Sequence, residues 1–274
     1  MKNRLFAALL KDHRRRRGLS QLDLAVEADV SARHVSFLES GRAKPSAEMV
    51  LRLLSVLGVP LRQQNEALLA ADLEPRFPEP PPDRLPADVD AAIAQMMSQH
   101  EPFPLTVLGL DGTVLRANPP ACALFEAFAA DAGALASAWN ASALNVFDLF
   151  FDPALWRPFV VDWQHVARAM LARLHREELL RDDARLATLL DRLLAFPGVP
   201  RAWRQPDFAT TVGPTATFRL ARAGREVGFL VTVTTFSSPG DVTLDELRIE
   251  SCFPLDAGTR DVCQRLATAA RPTY

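Results

Sequence analysis

No run of about 18 consecutive apolar residues occurs in this chain, so a membrane-spanning helix is not expected. The N-terminus also lacks the apolar stretch and small-residue cleavage site of a signal peptide, and a cytoplasmic protein with no membrane partner is expected. Cysteine is scarce. Cys122, Cys252 and Cys263 are odd in number and widely spaced, with no CxxC pair, which excludes a disulfide scaffold and the usual zinc or thiol-redox arrangements. Catalytic signatures are missing too: there is no GxSxG, GxxxxGK[ST], HExxH or GxGxxG. His175-Arg176-Glu177-Glu178 lacks the second histidine of a metal-binding helix, and His13, His34, His100 and His165 are isolated. Neither an enzyme nor a metal or cofactor is expected. Cys122 follows Asn118-Pro119-Pro120-Ala121 near a helix start, where a thiol pKa can fall, but the reading adopted is a small, buried apolar side chain.

What is present describes a globular chain of two parts. Its 274 residues are 49% hydrophobic and 23% charged, enough for two ordinary domains. The net charge of −2 conceals an asymmetry: residues 1–72 carry 12 basic and 8 acidic side chains, net +4, which leaves 19 against 25, net −6, for the rest. The first quarter is where a polyanion belongs.

The strongest punctuation is Pro75-Arg76-Phe77-Pro78-Glu79-Pro80-Pro81-Pro82-Asp83-Arg84-Leu85-Pro86, too rich in proline to sustain a helix. It sets the expected boundaries: an all-α domain over 1–72, a Pro-rich linker over 73–86 and a second domain over 87–274. Before the linker, short helical patterns stop at Gly18, Gly41 and Gly58. After it comes a helix over 87–100, then a hairpin turning at Asp111-Gly112 between Phe103–Leu110 and Thr113–Arg116. Helical patterns return over 119–130 and 145–195. Three strands follow, Thr217–Leu220, Val227–Phe236 and Leu247–Phe253, the first two joined at Ala223-Gly224. This order predicts an α+β domain with an antiparallel sheet.

Within the first domain, Ser20 caps one short helix with Asp23 placed for a near capping box, and Ser31 caps the next. Leu22, Ala25 and Val26 form the expected buried stripe of the first, Val35 and Leu38 that of the second. Leu5, Ala8, Leu9, Val50, Leu53, Leu54 and Leu57 on flanking helices are expected to complete the core. That is a helix-turn-helix, and its second helix has a face suited to a DNA groove. Arg33 is placed to donate two hydrogen bonds to guanine and Phe37 to touch a thymine methyl, with Ala32 and Ser36 beside them. Gln21 is placed for a phosphate, as are Arg42 and Lys44. With Ser31 and His34, the candidate contacts to double-stranded DNA are Gln21, Ser31, Ala32, Arg33, His34, Ser36, Phe37, Arg42 and Lys44. The run Arg14-Arg15-Arg16-Arg17 fits a helix end or phosphate contact equally well.

Gly18-Leu19-Ser20-Gln21, Ala25, Val30-Ser31 and Leu38-Glu39-Ser40-Gly41-Arg42 together resemble the Xre-type, phage-repressor-like helix-turn-helix, over about residues 4 to 70. Glu39 is usually structural in that family. Further blocks widen the likeness: the run Arg33 to Ser46, then Asn145-Val146, Val161-Asp162-Trp163, Phe196-Pro197-Gly198-Val199-Pro200, Thr234-Thr235-Phe236 and Asp241-Val242-Thr243-Leu244-Asp245-Glu246-Leu247-Arg248-Ile249-Glu250-Ser251. With them the chain resembles the MmyB-like regulators. The resemblance implies a lambda-repressor-like head joined to a PAS-like ligand-binding domain, and a pocket that takes a fatty acid.

Residues 147–163 hold six aromatics in seventeen positions, more than one helix face needs. Packed over a curved sheet they are suited to wall an apolar pocket. The candidate ligand-binding residues are Asn145, Phe147, Phe150, Phe151, Trp156, Arg157, Phe159, Trp163 and Phe236. Arg157 is the nearest cation for an acidic head; Asn145, His165 and Arg248 are secondary. Taken one by one, the same aromatics are read more readily as filling of a solid core than as cavity wall, and Trp203 reads as a gate or as a packing anchor. The expected function is a homodimeric, sequence-specific transcription regulator responding to a small apolar effector such as a fatty acid. The alternative is a regulator whose second domain serves only dimerisation or protein recruitment.

Overall fold

The computed structural model describes residues 2–205, 216–237 and 240–269. The chain divides into two compact units, Met1–Pro81 with Ser237–Asp245, and Pro82–Phe236 with Glu246–Tyr274.

The first unit is helical: α1 (Lys2–Arg16), α2 (Gln21–Glu27), α3 (Ala32–Glu39), α4 (Ala47–Val56) and α5 (Leu61–Ala70). Gly18, Gly41 and Gly58 take φ values of 70°, 71° and 65°, the left-handed conformation that lets a helix end and the chain turn at once. Ser20 and Asp23 form a complete capping box at α2, and the Ser31 hydroxyl accepts from the His34 amide at the start of α3. Phe6, Leu10, Leu24, Val35, Leu38 and Leu53 are fully buried at the centre. Two expectations fail here. Leu22 and Val26 are 61% and 71% exposed, while Leu24, Ala25 and Ala28 carry the buried face of α2; on α1, Leu5 and Ala8 are exposed and Phe6, Ala7 and Leu10 are buried. A seven-residue helix spans about two turns, too few for spacing alone to fix which face turns inward.

The proline-rich stretch begins as part of this unit. Asn65 on α5 accepts from the amides of Arg76 and Phe77 and donates to the Phe77 carbonyl. A short helix, α12 (Val242–Glu246), reaches the same stretch from far along the chain: the Val242 amide donates to Pro78 and the Thr243 hydroxyl to Pro80. Val242 is fully buried there.

The second unit contains α6 (Ala87–Gln99), β1 (Leu105–Leu108), β2 (Val114–Ala117), α7 (Pro119–Phe128), α8 (Ala132–Asn140), α9 (Val146–Phe151), α10 (Trp163–Arg181), α11 (Ala184–Ala195), β3 (Ala216–Arg222), β4 (Arg225–Thr234), β5 (Arg248–Pro254) and α13 (Ala257–Ala269). The strands form one antiparallel sheet in the order β2-β1-β5-β4-β3. Gly112, at φ 80°, turns the first hairpin where a Cβ would lie 2.5 Å from the Phe147 ring. Ala223 and Gly224, both at positive φ, turn the β3–β4 hairpin. The register pairs Thr106 on β1 with Glu250 on β5, and Cys252 on β5 with Val231 on β4. Alternation along each strand therefore gathers these side chains on one face.

Candidate functional site

In the head, a buried ion pair holds α3 in place. Arg14 at the end of α1 donates through Nε and Nη2 to the two Glu39 oxygens at 2.6 and 2.9 Å, and through Nη1 to the Leu19 carbonyl. The side chains are 10% and 3% exposed. Gln21, at the first turn of α2, donates to the same carboxylate at 2.7 Å. Burial pushes the Glu39 carboxyl up, but the hydrogen bonds from Arg14 and Gln21 and the charges of Arg14 and Lys11 outweigh it and hold the group below its ordinary value. Arg14 is thus a structural member of the basic run, and Gln21 is occupied in orienting α3 from the first turn of α2.

The outer side of α3 carries the groove-facing candidates. Arg33 is exposed and its guanidinium sits 5.2 Å from the Phe37 ring centre, one turn on. Ala32, His34, Ser36 and Phe37 are half-buried, and Ser31 lies at the exposed N-cap. Beyond the helix, the Phe37 carbonyl accepts from the Arg42 and Ala43 amides, which folds the chain so that Arg42 and Lys44 are both exposed. One short helix therefore presents a cation, an aromatic edge and small polar groups, with two more cations beside its C-terminus.

In the second unit, the sheet face bearing Thr106, Glu250, Cys252, Val231 and Phe218 is covered by α7, α9 and α10, and a cavity of about 330 Å³ lies between them. Leu124 and Phe125 come from α7, and Val146, Leu149 and Phe150 from α9. The inner face of α10 contributes Val166, Ala169, Met170 and Arg173, spaced as one helical stripe, with His165 beside them. Phe150, Trp156 and Phe218 meet at centroid distances of 5.1 to 5.9 Å, and Trp156 donates its indole N–H to the Phe125 carbonyl. These contacts satisfy the polar handle of the tryptophan and leave its ring as wall. The volume falls at the lower end of that for small-molecule sites, roughly 300 to 1,000 Å³.

The polar groups in this apolar chamber are few. Arg173 and Glu250 face each other at 3.7 Å, and burial raises the Glu250 carboxyl above its ordinary value despite Arg173. The next pair along the same two elements is Arg248 with Glu177, also at 3.7 Å. Burial raises the thiols of Cys252 and Cys122, and pushes that of Cys263 up to about 11, so none of the three has the lowered pKa of a reactive cysteine.

Compared with known families, residues 89–266 match the model of the MmyB-like transcription regulator ligand-binding domain, and residues 10–64 match a helix-turn-helix model. The first match alone spans well over half of the chain. The chain belongs to the MmyB-like transcription regulators. No curated protein matches it significantly. An MmyB-like regulator with this organisation is a DNA-binding transcription regulator with a ligand-binding domain.

In this MmyB-like regulator the ligand candidates named from sequence part company. Phe150 and Trp156 line the cavity. Phe147 lies against Gly112, and Phe151 is fully buried edge-on to Trp163. Asn145 caps α9, accepting from the Phe147 amide and donating to the Asp111 carbonyl. Arg157 donates to the carbonyls of Phe151 and Pro197 and stacks 3.9 Å over the Trp163 ring, in a shallow depression with Pro153 and Pro158. Trp163 donates to the Phe150 carbonyl and packs against Trp203. Phe159 lies half-buried beneath the Arg222 guanidinium, and Phe236 lies half-buried beyond the end of β4. Arg173, Glu250, Met170 and Phe218 were not singled out from sequence. The helical stripe at 166, 169, 170 and 173 was legible; its meeting with Glu250 on β5 was not.

Proposed function

We propose that this MmyB-like regulator acts in the cytoplasm as a homodimer, reads its operator with α3, and is controlled by a small apolar effector, a fatty acid or similar lipid, held in the cavity beneath α10. The observation that carries this reading is the cavity itself: aromatic and aliphatic walls around one guanidinium–carboxylate pair among the described residues, in a domain of ligand-binding type. Effector control needs only that the ligand prefer one arrangement of the domain, since differential affinity is what shifts a population. Each head covers one half-site, so twofold pairing calls for half-sites about 10 base pairs apart. No step of this reading requires catalysis.

Two measurements test it. Lipid extraction or native mass spectrometry of the purified full chain is expected to reveal an elongated apolar molecule, and Ala169→Trp, which fills the cavity from α10, is expected to reduce its occupancy at least about tenfold while cooperative unfolding is retained. Unchanged occupancy in that variant would place the ligand elsewhere. Sedimentation of the full chain is expected to give twice the chain mass; a monomer at micromolar concentration would rule out the paired arrangement and leave each head on a half-site alone.

A further inference from the structure

The two charged side chains in the cavity compete for any acidic ligand. Arg173 is the cation that faces the chamber from α10, but Glu250 already stands 3.7 Å from it across the sheet. The neighbouring cation on β5, Arg248, is paired with Glu177 one turn further along α10. The remaining polar wall near Glu250 is the Thr106 hydroxyl on β1 and the Cys252 thiol on β5. His165, the other titratable group among the described lining residues, is exposed and lies about 12 Å from Arg173 along α10, at eight residues and 1.5 Å rise each. A carboxylate head that reached Arg173 would therefore place two carboxylates at one guanidinium, in a chamber lined mostly by hydrocarbon.

Like charges at that separation do not both stay ionised in an apolar site; one takes up a proton. Resting on the reading that the cavity holds an apolar ligand with a polar head, we propose that Glu250 makes the binding of acidic ligands proton-coupled: the ligand carboxylate takes Arg173, and Glu250 takes one proton from solvent and donates a hydrogen bond to the bound carboxylate. Charge balances, with one cation, one anion and one neutral acid in the complex. A ligand with a hydroxyl or other uncharged head leaves the Arg173–Glu250 pair intact and binds with no proton. Glu250 is thus a specificity-determining residue that makes the preference for an acid over its neutral counterpart depend on pH.

The direction follows from linkage. Glu250 binds its proton more tightly with a carboxylate beside it than in the empty cavity, so acid affinity falls as pH rises between those two pKa values, by up to about tenfold per unit. The burial that already raises the empty-state value of Glu250 favours this uptake.

The test uses decanoate and decan-1-ol as probes on the delipidated full chain, by titration calorimetry from pH 6 to pH 9 in buffers of different ionisation heat. Expected are uptake approaching one proton per decanoate and none for decanol, with a pH-dependent affinity for decanoate alone. Glu250→Gln, which preserves shape, is expected to bind decanoate at least tenfold more tightly than the wild type at pH 8, with no uptake. Decanoate binding without proton uptake in the wild-type protein would overturn the proposal, as would proton uptake and pH dependence that persist in Glu250→Gln. Failure of both probes to bind would instead defeat the underlying reading of the cavity, and this inference with it. Because the wild-type measurement needs no substitution, poor folding of a variant leaves the outcome decisive.

Discussion

Replacing Glu39 by alanine is expected to destabilise the head by about 3 kcal/mol, the range for removing one partner of a buried ion pair. The loss is large because Arg14 would keep its burial and its Leu19 contact while losing both carboxylate hydrogen bonds, and Gln21 would lose its acceptor. All four tryptophans, Trp139, Trp156, Trp163 and Trp203, lie in the second unit. Urea unfolding of the full chain followed by far-ultraviolet ellipticity and by tryptophan fluorescence therefore separates the two units. The Glu39→Ala transition is expected to move in the first signal and to stay in place in the second. Arg14→Met combined with Glu39→Leu is expected to recover most of the loss, since apolar side chains of similar size carry no unpaired charge. Acid has the same target: the folded Glu39 carboxyl lies below its ordinary value, so its contribution is complete above the unfolded pKa and disappears as pH falls through the folded one. A head transition unmoved by Glu39→Ala would show that the pair contributes nothing.

The second large effect concerns DNA. Arg33→Ala is expected to cost about 1 to 3 kcal/mol of discrimination at each half-site, or roughly tenfold to more than a hundredfold between the operator and a sequence altered at the contacted base pair. Weak, salt-sensitive binding to any duplex should persist. Arg33 lies on the outer face of α3, steadied by the Phe37 ring, and among the described residues no carboxylate stands within ion-pair distance of it. Arg42→Ala is the control: it is expected to weaken all sequences alike and to reduce the salt slope by about one. Operators selected from random duplexes, then measured against single-base changes, decide between them. If Arg33→Ala keeps full selectivity, α3 does not read bases through this side chain.

How much of this was legible beforehand depended on range along the chain. Gly18, Gly41 and Gly58, the Ser20 box and the Asp111-Gly112 hairpin act over a few residues, and the sequence displays them directly. The family blocks extended that reading to the fold. The faces of α1 and α2 were misread because Leu22 and Val26 satisfy helical spacing as well as Leu24 and Ala28 do; neighbouring helices decide which pair is buried. The same holds in the second unit. Arg157 looked available until Pro197, distant in sequence, supplied its acceptor, and the aromatic-rich stretch divides between wall and filling according to packing that no local pattern encodes. Arg173 and Glu250 become a pair only when α10 is laid across β5.

The segment between β4 and β5 has one further consequence. Synthesis runs from the first residue to the last, yet the unit holding α3 is completed by Ser237–Asp245, which contributes the buried Val242 and the partners of Pro78 and Pro80. A ribosome has to translate as far as residue 245 before that piece exists, and by then most of the ligand-binding domain has been made ahead of it. A product that stops before residue 237 lacks that piece of the DNA-binding unit, so the complete unit is always made together with most of the ligand-binding domain.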